Sequence, residues 1–281
     1  MPISTKNVSS ADNQQETPIN RGILRDYTLN TFGVISKELV ILLSLLYTDG
    51  CVSRHGVSSW RLYFSNKSLV AINLFISCLV KVFDVSSSRI NIKMRERQVY
   101  VAVLTSKEIG EYLTQNFGTF RTLSFEDGTY PKTHLPVKEL IDADFVSIFL
   151  QVAFSMDGCV KFYPVIAKDG RQWLERCVSI SCHHLKLRQD YCRLLSSIGI
   201  DSVNVLKDQV IKIRKKDNLV KYAERVRFID GLVVTHNSKF WCGIDKNEVL
   251  DKMIQSYENP SQYLLDPVFN GSKSNDIVRS H

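Results

Sequence analysis

Two stretches of this chain are apolar on almost every side, Leu39–Tyr47 and Phe145–Phe154, and each runs into the same tetrapeptide: Asp49-Gly50-Cys51-Val52 and Asp157-Gly158-Cys159-Val160. The pattern predicts two helices of about 12 residues, roughly 18 Å long. Ser36 and Asp144 stand at matching places just before the apolar runs and are read as N-caps. A helix without a polar face must be covered on more than one side, so each is expected to pack on the other helix and on a sheet. Downstream, the two halves repeat the same order of patterns. Trp60–Ser65 and Arg176–Ser181 alternate like strands, and Trp60, in phase with Leu62 and Phe64, is expected in the core. Leu69–Phe83 and Leu185–Ile198 follow as amphipathic helices. Next come hairpin-like strand pairs, Ser88–Met94 with Gln98–Leu104 and Ser202–Leu206 with Gln209–Lys215, then closing helices over Lys107–Phe117 and Asp217–Val226.

The predicted fold class is therefore α+β, with the order αββαββα written twice. The two pseudo-symmetric units, 33–122 and 142–243, pack through their first helices and carry antiparallel sheets. Residues 123–141, in a stretch marked by Gly128, Pro131 and Pro136, form the linker. A polar N-terminal arm, 1–32, is expected to be flexible. A C-terminal extension, 244–281, reads as a tail from about Asn259, with Tyr263–Leu265 and Val268–Phe269 as its residues able to dock on the body.

Charge adds a partner class. The 281 residues carry a net charge of +7 with 44% hydrophobic content, which describes an ordinary globular chain biased toward anionic partners. Alternation places Arg89, Asn91, Lys93, Arg95 and Arg97 on one face of a strand, opposite Ile90, Ile92 and Met94. In the second unit Lys212, Arg214 and Lys216 oppose Ile211 and Ile213. A sheet with one apolar and one basic face suits a phosphate backbone, and equally suits plain solvation. Seven cysteines without CxxC spacing suit a reducing compartment, and the cluster Cys177, Cys182, His183, His184 and Cys192 fits no standard zinc spacing. The longest apolar run is too short to span a bilayer, so no membrane is expected. The first 20 residues show no signal peptide, which favours a prokaryotic cytoplasm or translation inside an organelle.

The nonapeptides Leu42–Gly50 and Leu150–Gly158, their duplication, the αββαββα order behind each and the basic strands in both resemble the LAGLIDADG homing endonucleases in their single-chain, two-repeat form, from about Gly33 to Phe228. Two departures stand out. Family members carry small residues at the second and third motif positions, where this chain has Leu43-Ser44 and Gln151-Val152. The near-motif Leu140-Ile141-Asp142-Ala143-Asp144 is followed by Phe145 rather than Gly. The resemblance implies a monomer that binds double-stranded DNA on a basic saddle formed by its sheets. Asp49 and Asp157, with backbone carbonyls near Thr48 and Met156, would hold Mg²⁺, with Mn²⁺ as a substitute. Gly50 and Gly158 would let the chain leave each helix in a left-handed conformation.

By the same resemblance, Asn66 and Lys67, and His183 beside Cys182, occupy the places of water-positioning residues, and Lys161 that of a basic residue near the metal; each is equally read as a phosphate contact or an exposed strand end. The expected DNA-contacting set is Arg61, Tyr63, Arg89, Asn91, Lys93, Arg95, Arg97, Ser179, Lys212, Arg214 and Lys216. The implied activity is metal-dependent cleavage of both strands at a long asymmetric site, leaving short 3′ overhangs. The alternative is a non-cleaving binder on the same scaffold, either an intron RNA maturase or a DNA-binding regulator.

Overall fold

In the computed structural model of the chain, the described residues are 35–264 except 57, 141, 236 and 237; the arm at 1–32 and the extension from 265 onward lie outside them. Helix α1 (Lys37–Tyr47) starts as the sequence suggests, with the Ser36 hydroxyl accepting from the Leu39 N–H at 3.2 Å. Its counterpart α4 (Ala143–Asp157) starts differently. Asp142, not Asp144, is the N-cap, accepting from the Asp144 N–H at 2.7 Å, and Asp144 sits in the first turn, where its charge favours the helix dipole.

Each of these helices leads straight into a four-stranded antiparallel sheet. Strands β1 (Gly50–His55), β2 (Ser59–Asn66), β3 (Asn91–Arg95) and β4 (Val99–Thr105) form the first, in the order β1-β2-β4-β3. Strands β5 (Gly158–Ile166), β6 (Gln172–Ser181), β7 (Val203–Val205) and β8 (Val210–Ile213) form the second, in the equivalent order β5-β6-β8-β7. Helices α2 (Leu69–Phe83) and α3 (Lys107–Phe117) complete the first repeat, and α5 (Leu185–Ser197) and α6 (Lys216–Arg225) the second. The expected mixed fold with twice-written αββαββα order is what the chain adopts.

The centre of the molecule is the contact between α1 and α4. Leu42, Leu43, Leu45, Leu46, Phe149, Leu150, Ala153 and Phe154 are fully buried. Ser44, also fully buried, donates its hydroxyl to the Phe149 carbonyl at 2.8 Å. It is the small residue that lets the backbones approach here, despite bulky neighbours at the other motif positions. Phe64 of β2 stacks on Phe75 of α2 at 5.0 Å, and Trp60 seats against Gly110 of α3, where a Cβ would come within 2.2 Å of the Trp60 Cβ.

The linker is docked rather than loose. Leu135 and Leu140 are buried, the Leu135 N–H donates to the buried Asp190 carboxylate of α5 at 3.2 Å, and the His184 ring meets the Pro131 carbonyl at 2.9 Å. The segment read as an extension is also structural. Helix α7 (Lys246–Gln255) packs against β5, with Val249, Leu250 and Met253 buried. Trp241 just before it stacks on Phe162 at 5.6 Å, and Tyr263 of the short helix α8 (Pro260–Leu264) meets the same ring edge-on at 5.5 Å. No helix among the described residues is long and apolar enough to cross a membrane.

Enlarging Ser44 forces the two central helices apart. Ser44→Leu is expected to lower unfolding stability by about 1–3 kcal/mol, the usual cost of overpacking, and urea denaturation measures it; an unchanged midpoint would remove the tight contact from the account.

Candidate active site

The acids Asp49 and Asp157 stand where α1 and α4 end, side by side because the helices are. Each is followed by a glycine for a steric reason. A Cβ on Gly50 would lie 2.6 Å from the Leu46 Cα, and one on Gly158 would lie 2.3 Å from the Phe154 carbonyl oxygen. The chain doubles back from helix to strand with no room for a side chain. The left-handed exit expected from the Asp-Gly pairs is not used: Gly158 is extended at φ −98° and ψ 160°, and Gly50 is not among the positive-φ glycines of the described residues.

Asp49 is half-buried and held. The Asn66 amide donates to its Oδ2 at 2.7 Å, while the Asn66 Oδ1 accepts from the Ser68 N–H at 2.8 Å. That second bond fixes which end of the amide faces the acid. Burial raises the Asp49 pKa, and the Asn66 bond and the Lys246 charge partly offset it. Asp157 is exposed to solvent at its cavity, and Asp49 is the more enclosed of the two acids by accessible surface, although protein atoms crowd the Asp157 carboxylate. Burial, then the neighbouring Asp49 charge, pushes its pKa up to about 7, with Lys246 opposing.

Each acid lines its own cavity. The Asp49 cavity, about 450 Å³, includes Asn66, Lys67, Met156 and Lys246. The Asp157 cavity, about 280 Å³, includes Thr48, Cys182, His183 and Tyr191. Asn66 and Lys67 therefore share a cavity with Asp49, and His183 shares one with Asp157; in the Cys182 thiol burial pushes the pKa up to about 11. Lys161 is not. It lies on β5 opposite Cys177, and the cation acting on both acids is Lys246, whose Nζ donates to the Ser155 and Gly158 carbonyls at 2.7 and 2.9 Å. Sequence reading missed Lys246 because it belongs to α7, outside the duplicated pattern; no local motif marks it.

The donor set fits a hard divalent cation: two carboxylates on adjoining helix ends, whose mutual repulsion a bound cation would relieve. Among the described residues no group of three or more His, Cys, Asp or Glu converges, so such a cation would take its other ligands from backbone, water or a phosphate.

The outer sheet faces also depart in part from expectation. Tyr63 and Asn91 flank Val103 in register, Ser65 and Lys93 flank Val101, and Arg61 pairs with Thr105, so Arg61, Tyr63, Asn91, Lys93 and Arg95 share one face. The Arg95 guanidinium lies 5.7 Å above the Tyr63 ring. Arg89 falls in a 3₁₀ turn, Ser87–Arg89, and Arg97 in the β3–β4 turn at φ 59°, so strand alternation does not reach them. The reverse face of β3 is not buried either: this edge strand leaves Ile92 52% and Met94 66% exposed. In the second sheet Ser179 pairs with Lys212 on the equivalent face. Arg214 lies past the end of β8 in an ion pair with Glu175, and Lys216 is the first residue of α6. Lys212 is itself paired with Asp208 at 2.8 Å, whereas no ion pair to Lys93 or Arg95 occurs among the described residues.

No family model matches the chain, and no curated protein matches it. Solved structures do. The chain is similar to mesophilic variants of the homing endonuclease I-DmoI, at 15% identity over 71% of this chain and 91% of that one, with a TM-score of 0.44. It is similar to the homing endonuclease I-WcaI bound to its DNA recognition sequence, at 16% identity over 78% and 93%, TM-score 0.46. It is also similar to a variant of I-SmaMI, at 11% identity over 86% and 100%, TM-score 0.48.

The raised Asp157 pKa has a pH consequence. Between the ordinary 3.8 and about 7 the folded chain binds more protons than the unfolded one, so stability falls as pH rises through that window. In EDTA, thermal unfolding of the wild type is expected to show this loss and Asp157→Asn to lack most of it; parallel pH curves would mean that Asp157 titrates normally.

Proposed function

We propose that this chain is a site-specific double-strand DNA endonuclease that acts as a monomer and hydrolyses phosphodiester bonds with Mg²⁺, for which Mn²⁺ substitutes. The observation that supports this reading is the pair of carboxylates on the abutting ends of α1 and α4, each opening into its own cavity. A protein that only bound DNA or RNA would gain nothing from two carboxylates facing phosphates, which repel them.

Asp49 and Asp157 would hold the cation, which when bound supplies Lewis-acid activation of water and stabilises the leaving 3′ oxygen. The protein's own groups do the rest. Asn66 keeps the Asp49 carboxylate aimed into its cavity, and Lys67, exposed at the mouth, meets a phosphate oxygen. His183 stands at the matching wall of the Asp157 cavity, within reach of a phosphate or its attacking water. Lys93, Arg95 and Arg61 on the outer face of the first sheet neutralise the backbone, and Tyr63 and Asn91 offer contacts to sugar and base edges, whereas Ser179, expected among the contacts, is only 4% exposed and is not part of that surface. One carboxylate per strand leads to cleavage of both strands, with short 3′ overhangs. Residues 33–122 and 142–243 are the two DNA-facing units in this reading.

Incubation with a randomised duplex library and Mg²⁺, followed by sequencing of the ends, is expected to yield one long asymmetric site. Asp49→Asn or Asp157→Asn should then lower double-strand cleavage by roughly a hundredfold or more with DNA binding retained, and EDTA should stop cutting until Mg²⁺ is restored. Cleavage that survives chelation, or binding lost along with cleavage, would overturn the proposal. In the binding assay Lys93→Ala should reduce the salt slope by about 1. Lys212→Ala should reduce it by less, because Asp208 already neutralises that lysine.

A further inference from the structure

The two acid-bearing helices end in chemically different ways. At the end of α1, Thr48 folds its hydroxyl back onto the Ser44 and Leu45 carbonyls, at 3.0 and 3.1 Å, so the first repeat satisfies its own helix terminus. The equivalent residue of the second repeat is Met156, which has no donor. Lys246 reaches across from α7 to different carbonyls at this exit, the Ser155 oxygen in the last turn of α4 and the Gly158 oxygen at the start of β5, at 2.7 and 2.9 Å, so that it brackets Asp157.

Lys246 is built into this place. It is only 8% exposed, and its ammonium lies 5.4 Å from the centre of the Phe228 ring. The next residue, Asn247, clamps the Phe228 backbone with bonds of 2.9 and 3.0 Å, and the Ile229 N–H donates to the Ser155 hydroxyl at 2.8 Å. The whole crossing from Phe228 to α7 is thus tied to the end of α4. A buried ammonium is costly unless its charge is matched. The carboxylates whose field reaches it are Asp157 and Asp49, and Lys246 lines the same cavity as Asp49 and Asn66.

We propose that Lys246 is a positioning residue of the nuclease site: it ties together the Ser155 and Gly158 carbonyls on either side of Asp157, so fixing that acid, and its ammonium is the resident counter-charge that lets two carboxylates stand together before a divalent cation arrives. The strand-cleavage part of this rests on the endonuclease reading; the charge and capping parts do not. The site is consequently asymmetric. The Asp49 carboxylate is held by a neutral amide of its own repeat, and Asp157 is flanked by two carbonyls that bind a cation delivered from outside the duplicated fold.

The test separates charge from capping. In DNA-free protein, Lys246→Met is expected to lower the melting temperature and to tighten Mn²⁺ binding roughly tenfold, because the pair is left uncompensated; calorimetry or electron paramagnetic resonance reads the affinity. Met156→Thr in the Lys246→Met background adds a hydroxyl able to bond the Val152 and Ala153 carbonyls, as Thr48 bonds those of Ser44 and Leu45, and so supports the same helix end without a charge. It should recover melting temperature without returning Mn²⁺ affinity to the wild-type value, and it provides a folded sample should the single variant not fold. Lys246→Arg, which keeps the charge, should keep wild-type Mn²⁺ affinity. On a cleavable duplex, Lys246→Met should accumulate singly nicked product, with the strand served by Asp157 left intact. Wild-type Mn²⁺ affinity in Lys246→Met, or its full restoration by Met156→Thr, would overturn the charge role and leave a mere cap. If the wild type cleaves no duplex, the endonuclease reading fails while the Mn²⁺ comparison still decides Lys246.

Discussion

The burial of α1 against α4 is the constraint from which the rest follows. Each helix is apolar nearly all round, so neither is stable on the surface, and each needs the other on one side and its own sheet on another. Once they lie together, the direct turn at Gly50 and Gly158 sends each sheet away from the shared helix ends. The same packing forces the two acids that end the helices into one another's field. The proximity of like charges, which would be selected against in a structural interface, is thus a by-product of apolar burial that a cation-binding site can use.

The duplication is exact in topology and inexact in chemistry. Both sheets have the same strand order, yet their supports differ. The first sheet presents Lys93 and Arg95 outside any ion pair among the described residues, while Lys212 and Arg214 of the second face Asp208 and Glu175. Several of the added segments lean on the second repeat. The linker docks on α5 through Asp190 and His184, and the crossing to α7 packs behind β5 and β6. A duplicated fold freed from strict symmetry can let one half bind and the other anchor.

Burial also explains why the polar residues around the site are the ones that matter. Arg188, 4% exposed, donates to the Cys182 and His183 carbonyls and to Asn204, and so fixes the end of β6 that forms a wall of the Asp157 cavity. Asn66 does the corresponding work in the first repeat by joining Asp49 to the start of α2. Both make several hydrogen bonds in places where an unmet donor or acceptor would be costly.

Much of this was written in local pattern. The all-apolar runs, the period change downstream and the repeated Asp-Gly specify the two central helices, the order αββαββα and the two acids, because helix and strand periodicity are properties of neighbouring residues. Where elements end was less legible: Arg97 and Lys216 continue an alternation in the sequence, but a tight turn and a helix start override it. Nor does Asp-Gly reveal whether its glycine serves a left-handed turn or, as here, the absence of a Cβ against the preceding turn. Lys246 marks the limit most clearly. It lies 89 residues beyond Asp157, in a segment without repeat or motif, and only the docking of α7 on β5 brings its ammonium to the end of α4. Local order depends on residues near in sequence, whereas the electrostatics of the site depend on which distant charges the fold packs around it.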